Sequence, residues 1–193
     1  SFTAARTGLN ARLIEKDYFC TVLLAYLSKD GGDQLVFKGG TCLAKVHAAF
    51  YRLSEDLDFA VPVPVDAGRS ERRSSVAQVK KAVAAVADAL PGFTCRVPLT
   101  GANNSTQYRA RLAYASATTG QPETIGVEVS VREPLLTPAV KAEARTLLLD
   151  PIGGDAAVPP LTLSCIQRDE AMAEKFRAAL SRREVAIRDF YDL

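Results

Sequence analysis

The chain has 193 residues, 48% of them apolar and 24% charged, and a net charge of +2. This excludes a disordered polyelectrolyte and leaves ample apolar material for a core, in one large or two small domains. A charge so near neutrality sets up no global field for nucleic acid, so any basic footprint must be local.

No apolar run approaches the roughly 20 residues needed to span a bilayer. The N-terminus also lacks the apolar stretch and cleavage site of a signal peptide. A cytoplasmic protein without a membrane partner is expected. Cys20, Cys42, Cys95 and Cys165 lie far apart and form no CxxC pair. That spacing argues for reduced thiols and against structural zinc.

Asn10 is placed to cap a helix reaching about Leu27, with Leu13, Tyr18, Val22 and Tyr26 at helical spacing. Lys29–Asp33 (KDGGD) reads as a turn and Leu35–Phe37 as a short buried strand. Gly39 and Gly40 then open a helix over about Thr41–Phe50. Leu57–Val61 is a strand, stopped by Pro62 and Pro64. Asp66–Ser75 reads as a polar linker. Val76, Val79, Val83, Val86 and Leu90 mark an amphipathic helix that Pro91-Gly92 ends.

Strand-like runs follow at Phe93–Val97, Tyr108–Ala115 and Thr124–Arg132. In the last, Val127, Val129 and Val131 face opposite to Glu128, Ser130 and Arg132. Pro151–Pro160 is a loop, Leu161–Cys165 a strand, and Arg168–Ser181 and Glu184–Leu193 are helices. The order implies an α+β fold with a mixed or antiparallel sheet flanked by helices. We expect a single domain over 1–193, with its core at about 30–135 and a C-terminal helical part at about 161–193.

The stretch Phe37–Phe59, FKGGTCLAKVHAAFYRLSEDLDF, carries the chemistry. Asp56 and Asp58 are two residues apart, so in a strand both emerge on one side while Leu57 and Phe59 face the core. Paired carboxylates suit Mg²⁺, which takes one or two protein acids plus substrate phosphate oxygens. Gly39 and Gly40 let backbone N–H groups approach a phosphate at a helix start. Thr41 offers a hydroxyl donor, and Ser54 lies two residues before Asp56. Alone, a glycine pair is a tight turn and a DxD is a pair of solvated acids. Together, in strand–GG–helix–strand order, they point to metal-assisted transfer from a nucleoside triphosphate.

Five segments are then informative together: IEKDYFCTVLLAYL, FKGGTCLAKVH, RLSEDLDF, EKFRAAL and RDFYDL. They span Ile14–Leu193 and resemble the AbiEii-type nucleotidyltransferase toxins, a branch of the DNA polymerase β-like superfamily. The resemblance implies a type IV toxin–antitoxin effector that moves a nucleotide from an NTP to RNA, the tRNA 3′ end in some members, with a cognate antitoxin. It places Gly40, Ser54, Asp56 and Asp58 on the nucleotide- and metal-binding motif. Lys175 falls on the family's helix lysine and Asp189 on the terminal acid. It also implies a third carboxylate on a neighbouring strand, where Glu128 stands. Ala186 occupies a position where the family often has arginine, with Arg188 close by. The chain stops just after this motif, where many relatives carry a longer helical region.

Two further readings stay open: transfer to a protein or small-molecule hydroxyl, and a nucleotide- or antitoxin-binding module without turnover. Lys16 is expected to pair with Asp17 or a nearby acid, Lys38 to be a strand-end lysine, and His47 to be packed. Arg109 and Arg111 alternate on a strand that could face the site. Arg69, Arg72, Arg73, Lys80 and Lys81 form one basic cluster, and Arg177, Arg182, Arg183 and Arg188 another, either of which could hold RNA phosphates.

Overall fold

A computed structural model describes residues 1–50, 54–131 and 134–181. The expected helix Glu184–Leu193, Asp189 with the rest of RDFYDL, and Arg182, Arg183, Arg188 and Arg132 lie outside the described residues.

A seven-stranded mixed sheet organises the chain in the order β3-β4-β5-β2-β1-β7-β6. Its strands are β1 (Val36–Lys38), β2 (Leu57–Ala60), β3 (Phe93–Ala102), β4 (Gln107–Ala115), β5 (Pro122–Ser130), β6 (Val140–Ala144) and β7 (Leu161–Cys165). β1 runs antiparallel to β2 and parallel to β7, while β2 runs parallel to β5. β3–β4, β4–β5 and β6–β7 are antiparallel. The sheet thus extends beyond residue 135, because β7 pairs with β1 and carries β6 at its edge.

Among the described residues the helices are α1 (Phe2–Thr7), α2 (Ala11–Asp30), α3 (Gly39–Cys42), α4 (Arg69–Ser75), α5 (Ala77–Ala84), α6 (Val86–Ala89) and α7 (Arg168–Ser181). Asn10 caps α2 by accepting from Arg12 N at 2.9 Å. α2 buries Cys20, Leu23, Leu24 and Leu27, and α5 buries Val79, Ala82 and Val83. Both pack in one core with Phe37, Leu57, Phe59, Leu112, Val127 and Val129. The Tyr26 hydroxyl ties the two helices by donating to Ala82 O at 2.9 Å.

Four local expectations change. The linker contains α4, which buries no residue and so shows no apolar stripe. The amphipathic helix breaks at Ala85, whose φ of −86° and ψ of 1° leave helical geometry. α3 begins at Gly39 itself and continues as a π-helical turn, Leu43–His47. β3 runs through Pro98, since an edge strand tolerates a missing N–H, and its register slips between Val97 and Thr100.

Candidate active site

Strand alternation turns Leu57, Phe59, Val127 and Val129 into the core. Asp58 and Glu128, paired in register across β2 and β5, therefore share the opposite face. Asp56 stands just before β2. All three acids line one cleft of about 960 Å³, together with Ser54, Arg109 and Arg111. A smaller hollow of about 460 Å³ lies on the other side of Asp58 and Glu128, toward α7, and includes Lys38, Glu174 and Arg177. The Asp58–Glu128 pair is the wall common to both.

Each acid is held differently. Asp56 is exposed, and its Oδ1 accepts from Gly126 N at 3.1 Å. Glu128 accepts from Gln107 Nε2 through Oε1 and from Arg109 Nε through Oε2, the latter at 2.9 Å. Asp58 is more enclosed. Burial, then the negative charges of Glu128 and Asp56, push its carboxyl up to about 6, against the opposing pull of Lys38 and Lys175. An accumulation of hard oxygen donors with excess negative charge is the donor set a divalent cation of the Mg²⁺ type takes.

The glycine pair supports this geometry in two ways. Gly39 has a φ of +75°, and a Cβ there would meet Asp58 Oδ2 at 2.2 Å. Only glycine satisfies both the conformation and the contact. Gly40 is buried in the first turn of α3. Thr41 departs from expectation: it is buried, and its hydroxyl donates to Asp56 O. That bond ties α3 to the backbone carrying the acid, so Thr41 supports Asp56.

The model of the family described as nucleotidyl transferase AbiEii toxin, type IV TA system, matches residues 22–193. The chain belongs to the AbiEii nucleotidyl transferase toxin family. Among solved structures, JHP933 from Helicobacter pylori matches with a TM-score of 0.58 and 18% identity, over 96% of this chain and 66% of that one. A second H. pylori structure, provisionally assigned as a nucleotidyltransferase, matches with a TM-score of 0.59 and 16% identity, over 95% of this chain and 67% of that one. The chain spans about two thirds of either neighbour, and at these identities the likeness concerns the fold. A search among curated proteins finds no match.

Of the AbiEii-like residues outside the central motif, Lys175 lies within the described residues. Lys175 is half-buried on α7, close enough for its charge to act on Asp58. Its neighbour Glu174 pairs with Lys38, so the lysine expected only to end a strand links β1 to α7. Lys16 pairs with Glu55 at 2.5 Å and not with Asp17. Asp17 instead takes the buried ammonium of Lys45 at 2.5 Å. Arg109 and Arg111 both face the larger cleft.

Gly126 and Gln107 were not singled out from the sequence. Gly126 had a readable signal: a glycine on the polar face of an otherwise regular strand marks a close approach. Here a Cβ would meet Asp56 Oδ1 at 2.7 Å. Gln107 had none, because its role depends on the β4–β5 register.

Proposed function

We propose that this chain transfers a nucleoside monophosphate from an NTP to an RNA hydroxyl, with the 3′ end of tRNA as the acceptor, and so blocks translation. The observation that carries this reading is the convergence of Asp56, Asp58 and Glu128 on one cleft beside a helix that starts on Gly39-Gly40. Asp56 and Asp58 are the residues that would hold Mg²⁺. When bound, the ion would neutralise phosphate oxygens and favour in-line displacement at the α-phosphorus.

The protein's own contribution is placement and charge. Gly40 and Ser54 would bind the triphosphate, and Lys175 would offset the negative charge that grows on departing pyrophosphate. Asp189, in the terminal motif, would act on the same nucleotide. Glu128 is held at both oxygens by Gln107 and Arg109. That anchoring favours a fixed anion completing a cation site over a mobile proton acceptor. The larger cleft, which holds Ser54 with Asp56 and Asp58, suits the triphosphate, and Arg109 and Arg111 add positive charge along it. A cognate antitoxin would relieve growth arrest caused by the chain. The whole of 1–193 would act as one catalytic domain in the cytoplasm. No helix among the described residues is long and apolar enough to cross a membrane.

The test supplies each α-labelled NTP to the chain with tRNA, total protein or small metabolites, with and without Mg²⁺. Label should appear on tRNA, require Mg²⁺, and fall at least about a hundredfold in Asp56→Ala. Label on protein or metabolites would replace the acceptor. Full transfer by Asp56→Ala would remove the mechanism.

A further inference from the structure

Beyond the Gly39-Gly40 turn lies a group of donors that nucleotidyl transfer does not use. Cys42 at the end of α3, His47 at the end of the π-helical turn and Cys165 at the end of β7 each bring one donor atom within 4.8 Å of the others. Both cysteines are fully buried and unoxidised, and His47 is partly buried.

The backbone explains the convergence. Residues five apart on an α-helix point about 140° away from one another. Between Cys42 and His47 the chain instead winds as a π-helical turn, with Ala48 N donating to Leu43 O at 2.9 Å. Its i→i+5 bonds bring the fifth residue back over the first, and such turns are rare and frequent at functional sites. The third donor arrives from the sheet. Cys165 is the register partner of Phe37 on β1, and Ile166 N donates to Phe37 O at 3.1 Å.

Two thiols and an imidazole are the donor set of a thiophilic cation such as Zn²⁺ and differ in kind from the hard carboxylates of the cleft. Zinc–sulfur and zinc–nitrogen bond lengths place tetrahedral ligand atoms about 3.6–3.8 Å apart. Closing the trio onto a metal therefore needs shifts of about 1 Å or less at the observed spacing. Metal-bound histidines usually give their other ring N–H to a carbonyl or carboxylate. Binding of a metal through Nδ1 would keep the bond that His47 Nε2 donates to Ile166 O at 3.0 Å.

We propose that Cys42, His47 and Cys165 form a three-ligand site for a zinc-type cation, with a fourth position open at the partly exposed edge of His47. Two thiolates balance the charge of a divalent ion. The bound ion would lock α3, and with it the glycine turn behind Asp58, to β7.

The full chain, reduced with a phosphine and stripped with a chelator, is titrated with Co²⁺ and then Zn²⁺. One equivalent of Co²⁺ should produce thiolate-to-cobalt charge-transfer absorption that Zn²⁺ abolishes, and Zn²⁺ should raise the melting temperature. Cys42→Ser and Cys165→Ser should lose the absorption, and His47→Gln should weaken binding at least about tenfold. If a serine variant does not fold, the partly exposed His47→Gln still decides the matter. A doubly substituted Asp56→Ala, Asp58→Ala chain should keep the absorption, which separates this site from the carboxylate cleft whatever the outcome for transfer. Wild-type protein without a thiolate band in excess Co²⁺, or an unchanged band in folded His47→Gln, would overturn the proposal.

Discussion

Asp17 and Asp58 are both largely enclosed aspartates, yet the protein treats them in opposite ways. Asp17 is surrounded by donors: Lys45 Nζ at 2.5 Å, Leu147 N at 2.9 Å and Thr146 Oγ1 at 3.1 Å. Lys45 is satisfied in turn by Thr21 Oγ1 at 2.8 Å and by Arg145 O at 3.3 Å. Asp58 faces Glu128 and Asp56, and its carboxyl rises to about 6. Enclosure is shared; the company of charges differs. A buried charge whose partners are all present belongs to the fold, whereas clustered like charges await a ligand.

The comparison breaks most sharply at Lys45. Replacing it in Lys45→Met leaves the Asp17 carboxylate buried without its cation, which should destabilise the fold by about 3–5 kcal/mol in urea unfolding. A loss below about 1 kcal/mol would mean that water or the other donors satisfy Asp17. Gly39→Ala tests the other region. The φ of +75° and the 2.2 Å approach to Asp58 Oδ2 together predict a loss of about 1–3 kcal/mol and a fall in transfer. Unchanged stability in a thermal melt would show that the turn relaxes freely.

Thr41 gives the smallest effect. Thr41→Val removes the donor to Asp56 O and should lower stability by about 1 kcal/mol, with Thr41→Ser restoring it. Because Thr41 acts on the acid's backbone, kcat should fall while KM for NTP holds. A selective rise in KM would return Thr41 to the phosphates.

Much of this contrast was legible in the sequence, and the reasons for the rest are physical. The alternation of Asp56 with Leu57 and Phe59, and of Glu128 with Val127 and Val129, is a period-two signal that a half-buried sheet imposes directly. Lys45 was invisible as a core cation because its partner, Asp17, lies on another helix. β6 went unread because VKAEA has few strand-forming residues; β7 supplies its pairing, from Val140↔Cys165 to Ala144↔Leu161. The Cys42–His47–Cys165 group was hidden by the cysteine spacing, which is uninformative when a π-helical turn and a parallel strand pair bring the donors together.

In the function proposed above, Asp58 is kept at a disadvantage in the free protein so that it can serve a cation. Its folded value, near 6, exceeds the ordinary 3.8, so the folded state holds the proton longer. Stability is therefore lost as pH rises through that window, and the penalty is complete above about 6. The decisive measurement is the melting temperature of wild type and Asp58→Asn at pH 7.5 and pH 4, with and without Mg²⁺. Without the ion, Asp58→Asn should melt higher than wild type at pH 7.5, by up to about 3 kcal/mol in stability, and the gap should close at pH 4. Mg²⁺ should raise the wild type at pH 7.5 and leave Asp58→Asn nearly unmoved. A variant that melts lower at pH 7.5, or a wild type indifferent to Mg²⁺, would contradict the account.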